Sequence, residues 1–242
     1  PVLDCCRLSS FEIDKINECA DKVESKFGYP VIVKPINLGS SVGISKASDR
    51  DSLIKSMENA FEFSDRILVE PAVVKLKEIN CSVVGDSESA EASICEEPVQ
   101  ASDDDILSFE QKYIGGGGKS GGSKGMATLK RKIPADITPE QDEFVRKTAV
   151  DAFRYLGCNG VTRIDFMLDM ADNKIYINEI NTIPGSLAFY LWEPKGVKYA
   201  ELLERMIQLA LKRYRMGEKI NYSFDTNILA MGGSFGAKGS KR

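Results

Sequence analysis

The chain has 242 residues, 43% hydrophobic and 28% charged, a composition that suits one large globular unit or two small ones, each with a real core. A net charge of −4 gives no reason to expect nucleic acid or an anionic membrane as partner; no apolar run reaches bilayer-spanning length and no signal-peptide pattern opens the chain, so the cytosol is the expected compartment. The complete absence of histidine excludes Ser-His-Asp and Cys-His nucleophiles, His-zinc proteases and imidazole acid–base chemistry, leaving carboxylates, Lys, Arg, Tyr, Ser, metal ions and backbone amides.

In chain order, Ser9-x-x-Glu12 is a capping-box pattern, and Ile13, Ile16, Ala20, Val23 and Phe27 follow at helical spacing up to Gly28. Val31–Val33 predicts a strand, followed by a Gly/Ser-rich turn at 37–43. A helix over about 49–62 carries Leu53, Ile54, Met57, Ala60 and Phe61 on one face. Strands are expected at Ile67–Glu70, Ile79–Val84 and Ala90–Ile94, closing a small α+β unit over residues 1–100. Periodicity is lost across 101–133, with a Gly/Ser/Lys tract at 115–125 and a lid-like loop expected at about 114–127. Thr138-Pro139-x-Gln141 announces a helix with Phe144, Val145, Ala149, Ala152 and Phe153 inward, ending at Gly157. Strands Val161–Leu168 and Lys174–Asn181 and a helix over 199–214, apolar at Leu202, Leu203, Met206, Ile207, Ala210 and Leu211, complete a second unit at 101–220. Residues 221–242 are expected to be a frayed tail. The six cysteines (Cys5, Cys6, Cys19, Cys81, Cys95 and Cys158) form no Cys-x-x-Cys pair and are expected to be reduced, packed thiols.

The most informative segment is the hairpin 161–181. Side chains alternate along strands, so Arg163 and Asp165 share a face, and so do Glu179 and Asn181. If the two faces coincide, Asp165, Glu179 and Asn181 gather hard oxygen ligands beside an arginine, a set suited to Mg²⁺. The plain alternative is a solvated face with a cross-strand salt bridge. Buried neighbours Ile164, Phe166, Tyr176 and Ile180 favour the metal, because unpaired carboxylates are costly there. Lys34 at a strand end, followed by Gly39-Ser40-Ser41-Val42-Gly43, offers a cation, hydroxyls and backbone N–H groups to a polyphosphate, although such turns are often only turns. Gly118-Lys119-Ser120 imitates the end of a P-loop, but Tyr113 stands where glycine is required and neither the strand nor the helix of that motif is present. The lysines at 119, 124, 130 and 132 with Arg131 suit either an anionic ligand or a solvated loop.

Six motifs occur in one order: Gly28-Tyr29-Pro30-x-x-Val33-Lys34-Pro35, Gly39-Ser40-Ser41-x-Gly43, Glu110-x-Lys112-Tyr113, Ile133-Pro134-Ala135, Gly160-x-x-Arg163-x-Asp165-Phe166 and Asn178-Glu179-x-Asn181-Thr182-x-Pro184-Gly185. Together they resemble the D-alanine–D-alanine ligases of the ATP-grasp superfamily, over roughly residues 1–211. The resemblance implies an α+β ATP-grasp fold, two subdomains holding ATP between them. It implies that Lys34 contacts the α- and β-phosphates and that Ser40 and Ser41 belong to a loop over the triphosphate, Ser40 with a catalytic part. Glu70 and Val73 would sit at the adenine, Glu78 at the ribose, Lys112 near the nucleotide and Tyr113 near the substrates. Asp165, Glu179 and Asn181 would bind two Mg²⁺ ions, with Mn²⁺ as an alternative. The implied reaction phosphorylates the carboxylate of one D-alanine and then joins it to the amine of a second, for cell-wall precursors. Arg163 and the Gly185 amide would hold the oxyanion.

The chain also departs from the family pattern. The family's N-terminal domain is missing, so the chain is expected to begin inside the central domain, to be inactive alone and monomeric, while the whole protein is a homodimer. Ser186-Leu187-Ala188-Phe189-Tyr190-Leu191-Trp192 replaces a Thr/Ser-rich stretch, with Tyr190 where a serine receives the second substrate's carboxylate. The segment after Tyr113 is longer and richer in glycine than usual. D-alanine or a related D-amino acid is the expected substrate, with no nucleic-acid or membrane partner. Two alternatives remain: an ATP-grasp carboxylate–amine ligase with another acceptor, and a nucleotide-binding module without turnover.

Overall fold

The computed structural model describes residues 1–39, 42–99 and 131–220. Two mixed layers of helix and antiparallel sheet follow one another along the chain. In the first, β1 (Cys6–Ser9), β2 (Val31–Pro35), β3 (Ser45–Ala47) and β4 (Arg66–Pro71) form a sheet in the order β1-β4-β2-β3. Helices α1 (Ile16–Phe27) and α2 (Arg50–Phe63) cover one face. Alternation along β2 and β4 sends Val31, Val33, Ile67 and Val69 into a core with Ala20, Val23, Leu53, Met57 and Ala60. It leaves Ile32, Lys34, Leu68 and Glu70 on the opposite face.

The second sheet joins β5 (Leu76–Gly85) and β6 (Ala90–Ala92) to β9 (Gly160–Asp169) and β10 (Lys174–Asn181), in the order β10-β9-β5-β6. Between them, β7 (Glu97–Pro98) pairs with β8 (Arg131–Lys132), closing the two ends of the segment that joins them. Helix α3 (Pro139–Tyr155) buries Val145, Ala149 and Phe153 against Ile79, Cys81, Val83, Ile164, Phe166 and Leu168. Its start is fixed as the sequence predicts: Thr138 Oγ1 accepts from the Gln141 N–H at 3.3 Å, and Gln141 Oε1 accepts from the Thr138 N–H at 3.0 Å. On the other face, Trp192 and Leu202 of α4 (Tyr199–Glu218) pack on Val84 and Val161.

The α+β class agrees with the sequence, and α2 and the hairpin β9–β10 lie within a few residues of expectation. Elsewhere the structure differs. Expected strand 79–84 pairs with β9, and expected strand 90–94 pairs with β5, neither with the first sheet, so the change of sheet falls between Pro71 and Leu76. Residues 10–15 form a 3-10 turn before α1, leaving Ile13 exposed. Phe144, expected inward, is exposed, as are the apolar Ile207 and Leu211 of the last helix, because α3 and α4 bury only a narrow stripe. The tail at 221–242 and the lid loop at 114–127 lie outside the described residues. All six cysteines are free thiols, four of them buried. No described helix is long and apolar enough to cross a membrane.

Candidate active site

The hairpin gathers the expected polar cluster by means of a bulge. Strict alternation along β10 would put Ile175, Ile177, Glu179 and Asn181 on one face. The pairing shifts register between Ile177 and Glu179, so that Ile177 faces Phe166, Glu179 faces Asp165, Ile180 faces Ile164 and Asn181 faces Arg163. Asn178 is the extra residue. It turns Ile180 into the core and Glu179 and Asn181 to the opposite face, beside Arg163 and Asp165. Asn181 Nδ2 donates to Asp165 Oδ2 at 3.0 Å and to Glu179 Oε1 at 3.2 Å.

Arg163 grips Asp165 with two parallel bonds of 2.7 Å, Nε to Oδ1 and Nη2 to Oδ2. Burial works against the charge on Arg163, but Asp165 outweighs it and holds the guanidinium above its ordinary pKa. Asp165 is pushed up to about 6, first by burial and then by Glu179, against the pull of Arg163. A carboxylate crowded in this way is relieved by a cation. Two carboxylates and an amide from adjacent strands are hard donors that leave coordination positions for phosphate and water, which fits Mg²⁺. Among the described residues, no group of three or more His, Cys, Asp or Glu side chains gathers as a metal set, so the fit rests on the amide as third donor.

The first sheet delivers its lysine to this cluster. Lys34 Nζ donates to Glu70 Oε1 at 2.5 Å, diagonally across β2 and β4, and to Asn178 Oδ1 at 3.3 Å, on the bulge of the second sheet. The ammonium therefore stands where the two sheets meet, one residue from Glu179. The turn after β2 packs tightly beside it: Gly43 has φ 73°, and a Cβ there would lie 2.8 Å from the Pro35 ring. Val73 lies in the short connection from β4 to β5, and Glu78 follows on β5, on the face of Asn80 and opposite Met167. Gly185 lies in the exposed turn after β10. Ser40, Ser41, Lys112 and Tyr113 lie outside the described residues.

Two functional neighbours escaped the sequence reading. Asn80 faces Asp165 from β5, and Glu96 pairs with Asn80 from the far side. Glu179, Asp165, Asn80 and Glu96 thus form one row across the sheet. Glu96 Oε1 accepts from Asn80 Nδ2 at 3.0 Å and from the Tyr190 hydroxyl at 2.8 Å. Arg131 lies 3.6 Å from Glu96 Oε2 and stacks over the Tyr190 ring at 4.4 Å. The polar positions of β5 were a usable signal for Asn80. Glu96 follows no period and had none.

The family model for the C-terminal part of the D-Ala-D-Ala ligases matches residues 1–208. The chain belongs to this family. Its fold is accordingly ATP-grasp, and it is similar over 89% of its length to the D-alanine–D-alanine ligase of Thermosipho africanus, at 36% identity over 54% of that protein. D-alanine–D-alanine ligase A of Escherichia coli is 40% identical over 80% of the chain and 50% of its own length. Among solved structures, the D-alanine–D-alanine ligase of Coxiella burnetii superposes with a TM-score of 0.69 at 26% identity, over 90% of this chain and 55% of that one. The VanG D-Ala:D-Ser ligase of Enterococcus faecalis gives 0.68 at 25% identity, over 86% and 56%. The chain therefore spans about half the length of the ligases it matches.

Proposed function

We propose that this chain carries the nucleotide and metal machinery of an ATP-dependent ligase that joins two D-alanines through an acyl phosphate. The observation that carries the reading is the meeting of Lys34 with Asn178. It brings a phosphate-binding cation from one sheet against the carboxylate row of the other. The two sheets then serve as the two ATP-grasp subdomains, with the nucleotide between them. Val73 and Glu70 take the adenine end, Glu78 takes the ribose, and Lys34 takes the α- and β-phosphates. Ser40, Ser41 and Lys112 complete the nucleotide's contacts, and Tyr113 stands near the substrates.

Asp165, Glu179 and Asn181 hold Mg²⁺, which neutralises charge on the transferring phosphoryl group. Arg163 would hold the oxyanion formed when the amine attacks. The Gly185 amide donates from the adjacent turn. The whole enzyme works as a cytoplasmic homodimer in cell-wall precursor synthesis.

One observation favours a second reading, a different acceptor amine. The Tyr190 hydroxyl gives its proton to Glu96, so it is not offered to an acceptor carboxylate. The test is ADP release by the intact protein with Mg-ATP and a panel of D-amino acids. Turnover with D-alanine alone supports the first reading and turnover only in the presence of another amine supports the second. An intact protein that binds no nucleotide refutes both.

A further inference from the structure

The row across the second sheet has two ends. Lys34, Asn178 and Glu179 mark the nucleotide end. Glu96 lies three strand spacings away, about 14 Å at roughly 4.8 Å per strand, and is only 3% exposed. A buried carboxylate is expensive unless its oxygens are partnered. Here its partners come from three separate places: Asn80 on β5, Tyr190 in the turn after β10, and Arg131 at the start of β8. Among the described residues Oε2 has no hydrogen-bond partner, and the guanidinium at 3.6 Å answers its charge.

The turn bearing Tyr190 is held in a costly shape. Leu187 and Ala188, neither of them glycine, adopt φ of 53° and 50°. Left-handed backbone at such residues costs roughly 1–2 kcal/mol each and persists only where surrounding contacts impose it. Three hydrogen bonds tie the turn to β5 and to the chain after β6: Tyr190 to Glu96 at 2.8 Å, Trp192 Nε1 to Ser82 Oγ at 3.1 Å, and the Ile94 N–H to the Leu191 carbonyl at 3.3 Å. Burial above all, then the charge of Glu96, raises the Tyr190 pKa, so the phenol stays protonated and keeps donating.

We infer that Glu96 is a positioning residue for the amine-acceptor end of the site. It latches the turn that runs from Gly185 to Trp192 and fixes the Tyr190 ring and the Arg131 guanidinium beside Arg163. Glu96 does not touch substrate; it acts through Tyr190 and Arg131. The inference rests on the ligase reading, because it needs an acceptor that enters opposite the nucleotide.

The test compares Glu96→Gln, Glu96→Ala and Tyr190→Phe in the intact protein, following ADP release against acceptor concentration and nucleotide affinity by direct titration. Glu96→Ala and Tyr190→Phe each remove a bond to a buried group, and are expected to raise the KM for the acceptor about tenfold. Nucleotide affinity should stay within about twofold, because that end of the row is untouched. Glu96→Gln keeps an oxygen for Asn80 and Tyr190 and should restore most of the acceptor affinity. The double variant Glu96→Ala/Tyr190→Phe should be no worse than the worse single, since both break one latch. An unchanged acceptor KM in Tyr190→Phe, or a nucleotide affinity that falls as far as the acceptor's, overturns the inference while the ligase reading stands. A wild type without amine-dependent ADP release overturns both. Tyr190→Phe decides the matter if the Glu96 variants fail to fold.

Discussion

Lys34 and Glu70 show what a single pair does at this site. Their side chains are 18% and 10% exposed, so each charge depends on the other while the phosphates are away. Removing Lys34 leaves a mostly buried carboxylate without its cation, which costs more than the pair contributes when intact. Lys34→Met is expected to lose about 1–2 kcal/mol in urea unfolding, and Lys34→Met/Glu70→Gln to recover most of it. Both variants should bind ATP poorly. Equal stability of the single and double variants would show that Glu70 does not rely on Lys34. The gathering of Asp165, Glu179 and Asn181 beside Arg163 was legible because strand alternation puts polar residues at that spacing on one face. Glu96 was not legible, because its meaning comes from a partner 94 residues away in the sequence.

At the scale of elements, the bulge in β10 decides which face the chemistry occupies. Deleting Asn178 removes the extra residue and leaves Ile177, Glu179, Ile180 and Asn181 opposite the partners they now face, in a regular ladder. The expected result is a protein that still folds, seen as a retained cooperative thermal transition, but lacks the Lys34 contact. Asn178→Ala keeps the extra residue and should retain the fold, losing the Lys34 contact alone. A deletion variant that cannot fold while Asn178→Ala does would contradict this account of the register. Trp192, fully buried with its ring nitrogen bonded to Ser82, anchors the turn after β10. Trp192→Ala is expected to cost about 3–5 kcal/mol in denaturant unfolding.

Periodicity told which residues share a face, but it could not name the partner strand. That is why the polar face of 161–181 was foreseen while the pairing of β5 with β9 was not. A bulge likewise leaves no mark in composition, since Ile177-Asn178-Glu179 reads equally well as regular strand. The inward expectation for Phe144 failed for a related reason: helical spacing shows an apolar stripe without showing how wide a surface awaits it.

On the scale of the whole molecule, the sheets meet at one polar seam, with Lys34 on one side and Asn178, Glu179 and Asp165 on the other. This seam is where the proposed function puts phosphoryl transfer. The central claim is that Glu179 serves there as a metal ligand and not as a structural carboxylate. It is exposed and accepts a hydrogen bond from Asn181, so replacing its charge should leave the fold intact. The direct measurement is ADP release by the intact protein with Mg-ATP and D-alanine, wild type against Glu179→Gln, alongside their thermal unfolding. The account predicts magnesium-dependent release that is abolished in the variant while the melting temperature barely moves. Full activity in Glu179→Gln, or wild-type turnover indifferent to magnesium, would contradict it.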